Sequence, residues 1–255
     1  MSLLSMIIIL FLAGLAAGFL AAVAGLASLV SYPVLLALGV PPVSANTTNT
    51  AALVFTGVGS LMSSTKELKT DRQTTWHVAA VALVGGIFGS IILAYAPAST
   101  FEKIVPFLIF GSGILMLYSQ FHKRPTTPTH TSERPIITFF KYVAIFLVGV
   151  YIGYFGASAG MILLSILMVT LNKSFAVTNA IKNFTTFVTN TLSLAIYAFT
   201  TKVYWWMVLP MGAGMFLGGY LGPVLIRHVP VRPLRIIVAF AAFGLAGYLF
   251  YTAYF

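Results

Sequence analysis

Acidic residues are scarce in this chain of 255 residues, and cysteine is missing altogether. Only 4 residues are aspartate or glutamate, against 14 lysines and arginines. Without cysteine the chain forms no disulfide and offers no thiolate for metal binding or thiol redox chemistry. Charged residues make up 7% of the chain, far below the roughly 25% of a soluble domain. There is therefore too little polar surface to cover a soluble globule.

Apolar residues make up 59% of the chain and come in long continuous runs. A helix of about 20 such residues crosses the hydrocarbon core of a bilayer. In lipid every backbone polar group must be satisfied within the protein, which leaves helix bundles or closed barrels. The runs do not alternate with polar residues, which favours helices. The sequence predicts an all-α integral membrane protein, and we expect its first apolar run to be mature structure rather than a signal peptide.

Ten apolar segments can be marked, and their order repeats. Residues 26–39 and 160–171 are too short to span a membrane, and each follows a longer segment. Such short segments are typical of half-helices whose ends are covered by protein or a water-filled cavity. The order long, short, long, long, long then occurs a second time. The longer segments are residues 5–23, 44–65, 74–95, 101–120, 137–157, 175–200, 204–226 and 233–254.

Residues also match between the two halves. Gly18 aligns with Gly153, and after a two-residue slip "ANTTNT" at 45–50 falls on "TNAIKN" at 178–183, which pairs Asn49 with Lys182. The glycine-rich segments "GGIFGS" at 85–90 and "GMFLGG" at 214–219 are similar too. We expect the glycines spaced by four to serve helix packing, namely Gly85, Gly89, Gly214, Gly218 and Gly222. Together these matches indicate an internal duplication. The predicted organisation is a first membrane repeat at 1–120, a cytoplasmic linker at 121–136 and a second membrane repeat at 137–255.

The positions of the basic residues predict how the chain is oriented. If each long-plus-short pair is a hairpin that returns to the side it entered, 11 loop lysines and arginines lie on one side and 2 on the other, leaving out Lys182. If each pair crosses once, they divide 8 against 5. The positive-inside rule favours the hairpins, with both termini outside. This predicts two inverted repeats, each a helix and half-helix hairpin followed by three transmembrane helices, which is a transporter architecture.

Carboxamides, hydroxyls and one lysine stand at the start of the helix that follows each short segment. A carboxamide in hydrocarbon costs several kcal/mol unless it is paired, and spacings of three or four residues put each set on one helix face. Pro41 and Pro42, followed by Ser44 or Asn46, predict a helix start with a side-chain cap. Helix N-termini attract anions, so we expect a donor-rich substrate site here. Its predicted residues are Asn46, Thr47, Asn49, Thr50, Asn179, Lys182, Asn183 and Thr186.

Plainer roles are also open for three of these residues. Asn46 and Asn179 fit the role of helix N-caps, which is compatible with ligand binding. Lys182 lies about seven residues into its helix, near 10 Å of rise, so its side chain can snorkel to the interface. An intramembrane ionisable residue is functional by default, which favours an inward-facing lysine that pairs with an anion.

The lack of buried carboxylates narrows the solute. A cation transporter normally needs a carboxylate at depth, whereas the four acids fall in predicted loops. The four histidines lack metal-ligand spacing and no nucleophile–base pair occurs, so we expect no enzyme and no metal or other cofactor. The expected partners are a small anionic substrate and the lipid bilayer, without nucleic acid, and a homodimer is allowed. The acids are Glu67, Asp71, Glu102 and Glu133.

Several segments are similar to those of one known family. "GVPPVSANTTNT" at 39–50, "TNAIKN" at 178–183 and "LIRHVPVRPLRIIVAF" at 225–240 resemble the corresponding parts of the TauE/SafE sulfite-exporter family, and the likeness covers nearly the whole chain. Members of that family are implicated in moving sulfite, sulfonates and related small sulfur oxyanions across the cytoplasmic membrane. The resemblance implies that Asn46, Thr47 and Asn49 lie in the central site with Asn179 and Lys182.

One part of the chain departs from the family pattern. The first repeat has "AVAGLAS" at 22–28 and keeps only Gly25 of a glycine-rich turn, whereas "GASAGM" at 156–161 keeps Gly156 and Gly160. If turn glycines let the backbone approach substrate, the first half of the site is narrower or differently shaped. The leading interpretation is a permease of the inner membrane that moves a sulfur-containing anion by alternating access. The alternative is an anion channel with the same donor-lined pore.

Overall fold

The computed structural model is helical, and no strand occurs in the residues that it describes. These are residues 2–121, 135–171, 173–225 and 231–255, so positions 122–134 of the predicted linker lie outside them. Within these ranges, six helices are long and apolar enough to cross a membrane. The prediction of an all-α membrane protein is confirmed. The helices are α1 (Leu3–Ala24), α2 (Ser28–Ala37), α3 (Pro42–Ser63), α4 (Thr65–Thr70), α5 (Arg72–Tyr95), α6 (Ala98–Phe121), α7 (Pro135–Tyr154), α8 (Ala159–Thr170), α9 (Phe175–Thr200), α10 (Trp205–Leu225) and α11 (Val231–Tyr254).

Each of the ten apolar segments corresponds to a helix, and α4 is an additional one. This helix has only six residues, and they are too polar for an apolar period to reveal it. The expectation that all four acids lie in loops is wrong for Glu67, which lies in α4, and for Glu102, which lies in α6. Glu102 is the second residue of the predicted segment 101–120, so its loop assignment already disagreed with that segment, and α6 begins three residues earlier, at Ala98.

Two breaks in the helices lie in contact with each other. Gly25 ends α1 with φ at 74°, a left-handed conformation that suits glycine, and Gly156 has φ at 73° in the loop before α8. The helices that follow, α2 and α8, have 10 and 12 residues, or about 15 and 18 Å of rise. Neither can cross a hydrocarbon core of about 30 Å. A Cβ atom at Gly25 would overlap the backbone of Gly160, so the two breaks meet closely.

Glycines bring two pairs of helices into backbone contact in the same way. On α1, Gly14 and Gly18 lie against the backbone of Met211 and Met215 on α10. On α7, the glycines 135 positions later, at 149 and 153, lie against residues 82 and 86 of α5. Both pairs are parallel, because the contacts advance together by four residues on each helix. The predicted packing glycines complete these contacts, and their role is confirmed: Gly85, Gly89, Gly214, Gly218 and Gly222.

Helix α3 is also parallel to α10. Near its start, the Thr48 hydroxyl accepts a hydrogen bond of 3.0 Å from the Tyr204 N–H. Towards its end, Gly59 lies against the backbone carbonyl of Phe216. Because α1 and α3 are both parallel to α10, they run in the same direction. The chain therefore reverses between them through α2.

Helices α7 and α9 of the second half have the corresponding arrangement around α5 of the first half. Helices α5 and α9 run parallel, since Gly86 lies against Thr189 and the Ser90 hydroxyl donates to the Ser193 hydroxyl at 2.8 Å. With α7 also parallel to α5, the chain reverses through α8.

Helices α3 and α9, by contrast, run antiparallel. Thr47 near the start of α3 donates to the carbonyl of Lys202, which follows α9. At the opposite end, Lys173 before α9 lies 3.2 Å from the Asp71 carboxylate, which follows α3 and α4.

Candidate functional site

The central cavity of the protein, with a volume of ≈ 50 Å³, lies where the breaks after α1 and α7 meet α3 and α9. That is room for a few water molecules or a small anion. Gly25, Gly156 and Gly160 from the breaks form part of its wall, and Phe155 and Phe187 add apolar surface. The polar side chains come from α2, α3 and α9: Ser28, Thr50, Thr56, Ser60, Lys182, Asn183, Thr186 and Asn190.

Half of the predicted site residues line this cavity. Thr50 comes from α3, and Lys182, Asn183 and Thr186 come from α9. The Thr50 and Thr186 hydroxyls also bond back to carbonyls of their own helices, Thr50 to Asn46 at 3.0 Å. The other four predicted residues are buried outside the cavity and bond elsewhere: Asn46, Thr47, Asn49 and Asn179.

Lys182 is fully buried, with 1% of its surface exposed. Its Nζ donates to the carbonyl oxygen of Ala21 at 2.8 Å and to that of Ala22 at 3.3 Å. Both carbonyls belong to the last turn of α1, where the partial negative charge of a helix C-terminus stabilises a cation. The prediction that the side chain faces inward is confirmed, and snorkelling to the interface is excluded.

Two asparagines of α9 bond to the same helix end. Asn179 Nδ2 donates to the Ala22 carbonyl at 2.9 Å, and Asn183 Nδ2 donates to it at 3.3 Å. In the first half, Asn46 Nδ2 donates at 3.0 Å to the carbonyl of Tyr154, the last residue of α7. The matched residues Asn46 and Asn179 thus each bond to the end of the broken helix from the other half.

The prediction that Asn46 or Ser44 caps α3 is wrong. Helix α3 begins at Pro42, because proline at the first helical position has a suitable fixed φ and needs no partner for an N–H. No side chain caps it, and Asn46 is already its fifth residue. The N-cap interpretation of Asn179 is wrong as well, since Ser174 caps α9 by accepting from the Val177 N–H.

Asn49 and Thr47 attach α3 to its neighbours. Asn49 Oδ1 accepts from the Ser31 hydroxyl at 2.5 Å, and its Nδ2 donates to the Ser28 hydroxyl at 3.0 Å. Both serines lie on α2. Thr47 donates to the carbonyls of Ser44 and Lys202, each at 3.3 Å. Asn49 matches Lys182 in the alignment of the halves, yet in this arrangement it fastens a half-helix.

Sequence reasoning missed three polar cavity residues that lie further along α3 and α9 than the predicted ones. Asn190 lies four residues after Thr186 and seven after Asn183, so it continues their helix face. Thr56 and Ser60, which lie four residues apart on α3, form a second polar pair in the cavity wall. Their signal was the helical period itself, carried beyond the conspicuous asparagine motifs.

The electrostatics of the cavity favour an anion. Among the described residues that line it, Lys182 carries the only charge and none is acidic. The first residues of α2 and α8, Ser28 and Ala159, also line the cavity, so two helix N-termini with partial positive charge lie at its wall. The Thr56 hydroxyl is buried there without a hydrogen-bond partner in the described part of the chain. No group of three or more potential metal ligands occurs in that part either.

The chain resembles known membrane proteins over nearly its whole length. The model of the family described as sulfite exporter TauE/SafE matches residues 10–249. A probable membrane transporter protein of Haemophilus influenzae is 28% identical over 91% of each chain. The probable membrane transporter proteins ORF9 of Sinorhizobium sp and YfcA of Escherichia coli K12 are each 24% identical over 91% of this chain, and over 88% and 86% of their own. No solved structure matches. Because the family match spans nearly all of its length, the chain belongs to the sulfite exporter TauE/SafE family.

Proposed function

We propose that this membrane protein is a secondary transporter that moves a small sulfur-containing anion, such as sulfite or an organosulfonate, across the cytoplasmic membrane. The observation that carries the proposal is the buried Lys182 ammonium in the wall of a central cavity whose described lining holds no acid. The name of the family supports a sulfur oxyanion as substrate. The names of the relatives support a membrane transporter.

The proposed transport cycle is alternating access between two inverted repeats, 1–120 and 137–255. It is supported by the antiparallel α3 and α9, by the chain reversals through α2 and α8, and by the two matching glycine contacts, each of which joins a helix of one repeat to a helix of the other. The central cavity lies between the repeats, where such transporters bind substrate. In the proposed orientation the linker is cytoplasmic and both termini are outside.

In this mechanism the cavity replaces the hydration shell of the anion. The Lys182 ammonium compensates its charge, and the second N–H of the Asn183 carboxamide supplies a hydrogen bond. The Thr50 and Thr186 hydroxyls supply further hydrogen bonds by turning away from the carbonyls of their own helices. Asn190 extends the same donor surface. The half-helix N-termini at the wall add partial positive charge that needs no counter-ion.

Ligand stabilisation of the purified protein tests this proposal, because a ligand that binds the native state raises the unfolding temperature. The ligands are sulfite, sulfate, thiosulfate, taurine and sulfoacetate, with chloride at equal ionic strength as the reference. We expect saturable stabilisation by at least one sulfur anion and loss of that effect in Asn190→Ala. Equal behaviour of all the anions and chloride would contradict a specific site. Counterflow in proteoliposomes then separates a carrier from an anion channel, which shows none.

A further inference from the structure

A second cavity, of ≈ 210 Å³, lies between α2, the start of α3, α6 and α11. It shares no lining residue with the central cavity. The rings of Tyr32 and Phe155 separate the two, since Tyr32 lines the second cavity, Phe155 lines the central one, and their centroids lie 5.2 Å apart in an edge-to-face contact. Both rings are buried, at 1% and 3% exposure. The second cavity is therefore a separate site.

The polar groups of this cavity can all accept hydrogen bonds, and the Tyr32 hydroxyl can also donate one. Glu102 contributes a carboxylate, the only charge among its described lining residues. The Thr252 hydroxyl donates to the carbonyls of Tyr248 and Leu249 within α11, so its oxygen remains as an acceptor. The Tyr32 hydroxyl is buried, has no hydrogen-bond partner among the described residues, and lines the same cavity as Glu102. The charge of this lining is therefore opposite in sign to that of the central cavity.

The apolar part of the cavity wall indicates which kind of cation fits. Pro42, Val105 and Leu249 give the cavity apolar sides, which suit a short alkyl chain better than a hydrated metal ion. A primary ammonium group carries N–H donors that match a carboxylate and two hydroxyl oxygens. We propose that this second cavity binds the primary ammonium group of a small amine, either free in solution or as the ethanolamine headgroup of a lipid. The inference does not depend on the transport function.

The test compares ethanolamine with choline on the purified protein in nanodiscs of phosphatidylcholine. Choline carries the same charge but has no N–H, so it separates ammonium recognition from general cation attraction. We expect ethanolamine, and not choline, to raise the unfolding temperature saturably. Glu102→Gln is expected to weaken ethanolamine binding by about tenfold or more, as loss of a charge-assisted hydrogen bond does. Tyr32→Phe is expected to weaken it less, and Glu67→Gln, on α4, to leave it unchanged.

Nanodiscs that contain phosphatidylethanolamine distinguish the two sources of the amine. If the headgroup is the occupant, these nanodiscs stabilise the wild type over Glu102→Gln and suppress the effect of added ethanolamine. If the amine is free, ethanolamine acts equally in both lipids. The proposal is overturned if neither amine source stabilises the protein, if choline acts as strongly as ethanolamine, or if Glu102→Gln binds ethanolamine as the wild type does. Glu102 is exposed at the rim, so this variant is expected to fold.

Discussion

The Nζ atom of Lys182 lies 2.8 Å from the carbonyl oxygen of Ala21. One residue belongs to α9 of the second half, and the other to the last turn of the broken helix α1 in the first. The contact holds the ammonium at the cavity wall, so in our proposal an arriving anion meets a charge that is already positioned. It also makes the position of the charge depend on the end of α1. In our proposal, substrate binding and movement of the break are coupled through the hydrogen bonds of Lys182 to the end of α1.

The glycine contacts predict matched effects in the two halves. Gly18→Ala and Gly153→Ala each place a Cβ atom against a backbone carbonyl on the facing helix. We expect each to lower the free energy of unfolding by about 1–3 kcal/mol, as overpacking does. The measurement is the unfolding midpoint in detergent. Gly111→Ala is the control, since a Cβ atom there meets nothing within 4 Å, and this contact account is wrong if all three variants unfold alike.

We predict that Asn49 supports the stability of the fold, whereas Asn190 supports binding of the anion. Asn49→Ala removes both hydrogen bonds to the α2 serines, and leaving such buried groups unpaired costs about 1–3 kcal/mol of stability. Asn190→Ala removes a cavity side chain and is expected to raise the KM for the anion, with little change in the unfolding midpoint. Unfolding scans and transport assays on both variants check this. The reverse pattern, with Asn49→Ala stable and Asn190→Ala unfolded, would refute the assignment.

The Asp71–Lys173 ion pair predicts a pH-dependent contribution to stability. Partial burial raises the pKa of the Asp71 carboxyl, but hydrogen bonds from Thr74 and the pairing with Lys173 outweigh it, so the pKa lies below its ordinary value of 3.8. A lowered pKa stabilises the fold above the unfolded value, and this stabilisation is lost as the pH falls through the folded value. Lys173 is 41% exposed, so the contribution is at most about 1 kcal/mol.

Unfolding temperatures of the wild type and Asp71→Asn measure this effect. We expect the wild type to unfold at the higher temperature at about pH 7 and the difference to shrink as the pH falls below the ordinary carboxyl pKa of 3.8. Glu67→Gln is the control variant, because no ion pair involves Glu67 in the described residues. A difference that grows on acidification would have the wrong sign for a lowered pKa.

Much of the fold could be predicted because the bilayer imposes strong rules on a sequence. Apolar length gave the ten segments, and the positions of the glycines gave the repeated packing. The short length of 26–39 predicted a half-helix, and α2 is one. Helix starts were less predictable, since Pro42 begins α3 before the asparagine that looked like its cap.

The site was only partly predictable from the same sequence. Asparagine spacing identified the correct helix faces, and Lys182 and Asn183 do line the cavity. It could not show that Asn179 bonds to a backbone carbonyl 157 positions away, because that contact depends on where the broken helix of the other half ends. Nor could it show that Asn49 is held by Ser28 and Ser31, since sequence spacing carries no information about cross-helix partners.

The most direct test of the central claim is saturable sulfite or sulfonate flux through Lys182→Ala in proteoliposomes. The variant is expected to fold, because Gly25 N–H still bonds to the Ala21 carbonyl and Asn179 still bonds to that of Ala22. Lys202→Ala, which removes a lysine beyond the far end of α9, serves as the matched control. We predict that Lys182→Ala loses saturable flux while Lys202→Ala retains it. A folded Lys182→Ala protein that transports at the wild-type rate would contradict the role of the buried ammonium.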